Sequence, residues 1–383
     1  MTHWWQNFEP WAKVTTDEWS SWQWQLRNVS RSVERVADWC GTRKNDTANE
    51  IQAGFAIKVT PHMAAAALHY GADALRVFSR AYLPSLEELS RLETSNSDDG
   101  IGEELEHTNP VPAVSHFYPD RALFKIVKMC PAYCRYCFRR RMLGDGKGSF
   151  NPQEIAQGID YIKANTNIRE VILSGGDPLV LGDDRLASIL DALSALPHVR
   201  RLRLDTKALF MVPGRFTAAL IKGLKKFRAV YVMCHFSHPY ELSPDVAAAA
   251  ARLADAGIQL RAHTPLLRGI NDSVPVLSEL FEMLVDTRIQ PYHMLHFIPT
   301  PWTEHFRVPF REATRIYELL QNSAAGLALP AFVVYLPNGN GKVIVAPNRV
   351  IDRPGRGVWL RSVRRKEVLY EEPEIWRSDA ISA

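Results

Sequence analysis

The chain has no apolar run near the roughly 18–20 residues that a membrane helix requires. Its alanine-rich stretch, 247–256, is shorter and carries Arg252 and Asp255, so no membrane partner is expected. It also lacks low-complexity blocks, and 46 % hydrophobic residues over 383 positions exclude a disordered chain. An excess of one charge is missing too. The 46 basic and 42 acidic residues leave +4, too dilute to imply a nucleic-acid surface. The first residues, Met1-Thr2-His3-Trp4-Trp5, lack the basic-then-apolar profile of a signal peptide, so the cytoplasm is the expected location. The length suits one large domain with appendages, or two domains.

Cysteine is scarce, five in all, which argues against a secreted disulfide framework in a chain of this size. Their placement is uneven. Cys130, Cys134 and Cys137 fall within eight residues, whereas Cys40 and Cys234 stand alone. A triplet this tight reads as a metal site, and Cys234 as a small buried hydrophobe.

Residues 1–110 read as helical and tryptophan-rich, with Trp19, Trp22, Trp24 and Leu26 followed by Val33, Val36 and Trp39 at helical spacing. The polar stretch 93–100 reads as a loop. From about 121 the pattern changes to short apolar runs, at 123–127, 170–173, 199–204, 229–233, 259–262, 293–297 and 332–335. Amphipathic segments separate them, such as 152–165, 185–196, 216–226 and 244–256. That alternation predicts an α/β fold with a parallel sheet or barrel and right-handed crossovers. In such folds the ligand site lies beyond the carboxyl ends of the strands. The tail from 343 returns to short extended pieces of mixed charge.

Four motifs follow apolar runs and are expected to share that mouth. The first is Cys130-Pro-Ala-Tyr-Cys134-Arg-Tyr-Cys137. Three thiolates at this spacing can converge on one four-iron cluster and leave one iron open. Zinc normally takes four protein ligands, and no second cysteine pair is present. The second is Ser174-Gly175-Gly176-Asp177, where two glycines admit a ligand close to backbone and the acid can accept from an ammonium or a ribose hydroxyl. Alone it is also an ordinary turn. The third is Leu336-Pro337-Asn338-Gly339-Asn340-Gly341-Lys342, a flexible loop presenting one lysine, whose amine can form a Schiff base with pyridoxal phosphate; a hairpin turn with a solvated lysine is the plainer reading. In the fourth, His235-Phe-Ser-His238-Pro239, no third ligand is spaced to complete a metal site, so a structural or ligand-contacting role is expected.

The C-x3-C-x2-C spacing resembles that of the radical S-adenosylmethionine (SAM) superfamily, and the whole set resembles the lysine 2,3-aminomutase family within it. Marks of the resemblance are Trp22-Gln-Trp-Gln-Leu-Arg-Asn28, Tyr118-Pro-Asp-Arg121, Cys137-Phe-Arg-Arg-Arg141, Ser174-Gly-Gly-Asp177, His235-Phe-Ser-His-Pro239, Leu266-Leu-Arg-Gly-Ile-Asn-Asp272, Glu304-His-Phe-Arg307 and Pro337–Lys342 with Pro347-Asn348. The resemblance implies a partial (βα)6 TIM-like barrel of the radical SAM type at 111–330. A helical region (1–110) would precede it, and a C-terminal segment (331–383) carrying the pyridoxal phosphate lysine would follow, with homodimer or homotetramer assembly.

By the same resemblance, Cys130, Cys134 and Cys137 would hold a 4Fe-4S cluster whose open iron chelates SAM, with Ser174, Gly175, Gly176 and Asp177 at the methionine amine. An electron from a flavodoxin- or ferredoxin-type donor would release a 5′-deoxyadenosyl radical. Lys342 would carry pyridoxal 5′-phosphate, Tyr118 and Arg121 would lie at that cofactor, and His235 and His263 would contact cofactors. Arg139 matches the arginine that pairs with the substrate carboxylate, for which a fork-shaped guanidinium is suited. The implied product is a β-amino acid.

The departures concern the substrate. Lysine-acting members hold the distal ammonium with two aspartates, and the matching positions here are Ile298 and Tyr335. An ammonium buried against them would lack its counter-charge, at a cost of about several kcal/mol. An uncharged α-amino acid is therefore expected, although Glu304 or another acid leaves a cation open. Ala262-His263 stands where Asn-Gln is usual, and Phe117 where an arginine is. Competing readings are another radical reaction at the same two cofactors, modification of a lysine on elongation factor P, and an iron–sulfur scaffold without catalysis.

Overall fold

In the computed structural model the described residues are 3–41, 55–89, 99–143, 149–324, 326–351, 358–362 and 365–370. Most of the expected polar loop at 93–100 lies outside them. One sheet of nine strands organises the molecule, with neighbours in strict chain order. Its strands are β1 (Val114–Tyr118), β2 (Arg121–Val127), β3 (Glu170–Gly175), β4 (Arg201–Thr206), β5 (Ala229–His235), β6 (Gln259–Leu266), β7 (Gln290–His296), β8 (Ala331–Tyr335) and β9 (Lys342–Ile344). β2 through β8 pair in parallel, while β1 and β9 add to the two edges antiparallel. Six helices, Pro152–Ala164, Asp183–Ser194, Ala218–Leu224, Pro244–Asp255, Val274–Asp286 and Phe310–Ser323, fill the crossovers between the parallel strands. That is a half-barrel of six βα units with a seventh parallel strand.

Local sequence sets these elements. The helix Pro152–Ala164 starts with proline at its first position and a reciprocal box in which Asn151 Oδ1 accepts from Glu154 N (2.8 Å) and Glu154 from Asn151 N (2.7 Å). Gly158 on its inner face makes room for Phe124, whose ring a side chain there would overlap. The strands alternate. In β4, Leu202 and Leu204 are fully buried toward the helices while Arg201, Arg203 and Asp205 share the other face. Asp205, His235 and His263 all line the central cavity, where they stand among apolar groups such as Leu295, Phe297 and Ile298.

The amino-terminal region packs on the outside of the barrel. Trp5 and Trp19 stack at 4.8 Å, and Trp19 Nε1 donates to Asp245 Oδ2 (2.8 Å) on the helix Pro244–Asp255. Buried Arg215 stacks on Trp22 and pairs with Asp183 (2.6 Å). Beyond the barrel, β10 (Val350–Ile351), β11 (Val358–Arg361) and β12 (Glu367–Tyr370) form a small antiparallel sheet. No helix among the described residues is long and apolar enough to cross a membrane.

Candidate active site

The three clustered cysteines sit just past the carboxyl end of β2, on a turn held from the amino-terminal region. Tyr133 N donates to Lys58 O (2.9 Å), Arg135 N to Ala81 O (2.7 Å), and Lys58 Nζ to Cys130 O (2.6 Å). Arg135, almost fully buried, clasps Glu88 through Nε (2.8 Å) and Nη2 (2.6 Å). All five cysteines are free thiols. Burial pushes the Cys130 and Cys137 thiols up and Cys134 to about 12. A bound cation would reverse that preference. Cys234 is fully buried, as expected of a small hydrophobe.

The Ser174–Asp177 segment lies directly against the lead into this turn. Gly176 N donates to Val127 O and Asp177 N to Met129 O, both at 2.8 Å. A Cβ on Gly175 or Gly176 would overlap those same carbonyl oxygens, and Gly175 takes φ +122°, so both positions require glycine. Asp177 differs from the sequence expectation. Its carboxylate accepts from Leu179 N (3.1 Å), Thr206 Oγ1 (2.9 Å to each oxygen), Lys207 N (2.9 Å) and Ala208 N (3.0 Å). That saturates its lone pairs and leaves none for an ammonium. Its work here is to tie the end of β3 to the end of β4.

Arg139 also has fewer free donors than a bare fork. Glu103 takes its Nε (2.9 Å) and Nη2, while Nη1 donates to Ser174 Oγ (2.9 Å) and Gly175 O (3.1 Å). Four of its five N–H groups are engaged, which leaves one Nη2 proton for a ligand. Glu103 was not among the residues singled out from sequence; a lone acid in a loop carries no pattern. Burial pushes the Glu103 carboxyl up, but Arg139, Lys125 and Arg141 outweigh it and hold it below the usual carboxylate range. Glu103→Ala should therefore destabilise the fold at neutral pH by about 3–5 kcal/mol, the cost of an unpaired buried charge. Because the folded pKa is depressed, the contribution is present above the ordinary carboxylate range and lost as pH falls through the folded value. Denaturant titrations at a series of pH values should show the gap closing in acid; a pH-independent gap would assign the loss to packing alone.

Lys342 is the first residue of β9 rather than part of a free loop. Its backbone N donates to Tyr118 Oη (3.0 Å), and Nζ stands 4.7 Å from the centre of the Tyr335 ring. Gly341, at φ +78°, lets Tyr118 Oη approach to 2.9 Å of where a Cβ would be. Arg121 stacks on Tyr118 at 3.9 Å and bonds Asp120 Oδ1 (2.9 Å). The lining of the central cavity includes Cys130, Cys134, Cys137, Ser174–Asp177, Arg139, Asp205, His235, His263, Ile298 and Tyr335. Lys342, Tyr118 and Arg121 adjoin the cavity behind Tyr335 without lining it. His238 is outside too and caps Tyr240 N (3.4 Å), and Glu304 is buried away from the lining.

Residues 124–275 match the radical SAM superfamily model, and 317–382 match the model for lysine-2,3-aminomutase. The L-lysine 2,3-aminomutase of Fusobacterium nucleatum is 36 % identical over 94 % of this chain and 84 % of its own length. The chain belongs to the lysine 2,3-aminomutase family. The L-lysine 2,3-aminomutase of Clostridium subterminale is 34 % identical (96 % and 88 % covered), and the glutamate 2,3-aminomutase of Clostridioides difficile is 32 % identical (94 % and 84 %). Relatives thus act on side chains of opposite charge, and family membership alone leaves the substrate open.

The aminomutase family uses a 4Fe-4S cluster, SAM and pyridoxal phosphate, and the residues present suit all three. Three free thiols and the glycine segment share one cavity. In its lining two buried polar atoms await partners: His263 Nε2 and Asp205 Oδ1 have no hydrogen bond among the described residues. Such atoms mark a polar ligand's place rather than a packed core.

Proposed function

We propose that this radical SAM aminomutase shifts the amino group of an uncharged α-amino acid to its β-carbon, using pyridoxal phosphate held by Lys342. The observation that carries the reading is the distal wall of the cavity. Ile298 and Tyr335 line it, and of the acids in the lining Asp177 is saturated and Asp205 lies in the lumen beside His235 and His263.

When bound, the cluster with SAM supplies a hydrogen-abstracting radical, and pyridoxal phosphate supplies a π system that spreads an unpaired electron. The chain does the rest. Cys130, Cys134 and Cys137 would hold the cluster. The Gly175-Gly176 backbone brings the β3 terminus against that turn, so backbone rather than the Asp177 side chain faces the methionine amine. Arg139 turns its remaining Nη2 proton toward the substrate carboxylate, its plane fixed by Glu103 and Ser174. Tyr118 orients Lys342 through its backbone N–H, with Arg121 beside it for the phosphate. Phe297, Ile298 and Leu295 exclude water from the reacting carbon. A flavodoxin- or ferredoxin-type donor would supply the electron.

The test is a screen of amino acids by deoxyadenosine and β-amino acid formation with anaerobically reconstituted enzyme. An uncharged amino acid is expected to exceed lysine by about tenfold or more in kcat/KM, since an unpaired ammonium in this pocket costs at least that. Ile298→Asp with Tyr335→Asp should move the preference toward lysine. Best turnover on lysine by the wild-type enzyme would overturn the proposal.

A further inference from the structure

Two other buried acids have a cation. Glu103 is bonded by Arg139, and Glu170 by Arg203 and by Arg201 Nε (3.2 Å). Asp205 is different. Its Oδ1 is buried with no hydrogen-bond partner among the described residues, and a carboxylate oxygen, one His235 ring nitrogen and one His263 ring nitrogen all lie within 4.8 Å of one another. His263, only 4 % exposed, also has an unpartnered Nε2. Two buried polar groups converging without partners on a cavity ask for a ligand that serves both.

The surroundings narrow the ligand. His235, His263 and His293 stand opposite one another in the β5–β6–β7 registers, with ring centres 5.7 and 5.2 Å apart and planes inclined by 20° and 4°. They form a row of near-parallel rings. Burial, then the charges of Lys207 and Arg139 at His235 and of Lys342 at His263 and His293, push all three below the usual imidazole range, His235 and His293 to about 3. Neutral rings beside a carboxylate could ligate a metal ion. Against it, burial pushes the Asp205 carboxyl up, and the groups that oppose this, Arg203, Lys342 and Arg139, make a positive field that repels a free divalent cation. Arg203 contributes most to that field, and Lys342 adds to it while it remains an ammonium. Once Lys342 holds an aldehyde cofactor, its charge is no longer available to Asp205 in the same place, and the unpartnered Oδ1 is free to accept from another cationic donor. A protonated pyridine nitrogen, which an aspartate commonly accompanies in pyridoxal chemistry, is such a donor.

We propose that Asp205, with His263 beside it, is the seat for the protonated ring nitrogen of the pyridoxal cofactor. This rests on the assignment of pyridoxal phosphate to Lys342. A proton held on the ring nitrogen deepens the electron sink, so Asp205 would tune the cofactor's electronics as well as its orientation.

The experiment compares pyridoxal phosphate with its 1-deaza analogue, in which C–H replaces the ring nitrogen, by absorbance titration of the reconstituted protein and borohydride capture on Lys342. Neither readout requires turnover. The wild-type protein is expected to bind pyridoxal phosphate on the order of tenfold more tightly than the analogue, as for loss of one charge-assisted hydrogen bond. Asp205→Ala should bring the ratio near one. Asp205→Asn, nearly isosteric, should reduce it as well and guards against a misfolded alanine variant; circular dichroism and the iron–sulfur spectrum check both. Equal binding of the two compounds by wild-type protein, or a ratio unchanged in both variants, overturns the proposal and leaves the seat to water. A stoichiometric divalent ion beyond the cluster iron, lost in Asp205→Ala, overturns it in favour of a metal site. Capture of both compounds on Lys342 with equal affinity removes this inference alone. Failure of either to label Lys342 removes the cofactor assignment with it.

Discussion

Replacing Cys130, Cys134 and Cys137 together by alanine is expected to abolish the iron–sulfur absorbance of reconstituted protein and all SAM cleavage. Replacing Cys40 and Cys234 should leave both intact. The contrast follows from position. The first three thiols line one cavity on a single turn, whereas Cys40 is buried in the outer helical region and Cys234 is fully buried on β5 with its thiol toward Val232 O (3.8 Å). A four-iron cluster held by three thiolates cannot fall back on either of them without moving a strand or a helix. The fold should survive the triple change, because the turn is also fastened by Lys58, Ala81 and the Arg135–Glu88 pair. A triple variant that still assembles a four-iron cluster would sink the assignment of the turn.

That outer fastening was not legible in the sequence, and the reason is physical. Motifs are visible where chemistry demands particular residues at close spacing, as in the cysteine turn and the glycine pair. The strands were visible as apolar runs because their helix-facing residues are fully buried. Their lumen faces were less so. Arg201, Arg203 and Asp205 alternate with leucines in β4, yet nothing local says that Arg203 will reach Glu170 or that Asp205 Oδ1 will lack a hydrogen-bond partner. Partnerships between segments far apart in the chain, such as Glu103 with Arg139 or Glu88 with Arg135, are set by the fold and leave no short-range pattern. Asp177 shows the converse. Its motif is plain, but its carboxylate turns inward to Leu179 N close by in the chain and to three donors at 206–208 that only the β3–β4 pairing brings near. Lys342 was placed in a loop because the Pro337–Gly341 sequence is rich in turn residues, and the structure starts a strand one residue later.

Lys342→Ala is expected to remove the visible absorption of lysine-linked pyridoxal phosphate and reduce amino migration to background, while leaving the iron–sulfur spectrum unchanged. The separation of effects comes from geometry. Lys342 stands behind Tyr335, outside the lining shared by the three cysteines, and its backbone N–H rather than its side chain bonds Tyr118. Truncating the side chain therefore removes the amine without undoing the β8–β9 hairpin, in which Leu336 N donates to Gly341 O (2.8 Å). A second consequence follows at the lumen. Burial and then the Lys342 charge push His263 and His293 below the usual imidazole range, so without the ammonium both should titrate at higher pH, with burial still keeping them below that range. NMR titration of their ring signals in the cofactor-free variant measures this. Unchanged histidine pKa values would mean that the Lys342 ammonium points away from the lumen. A borohydride-stable label on any other lysine would move the cofactor there.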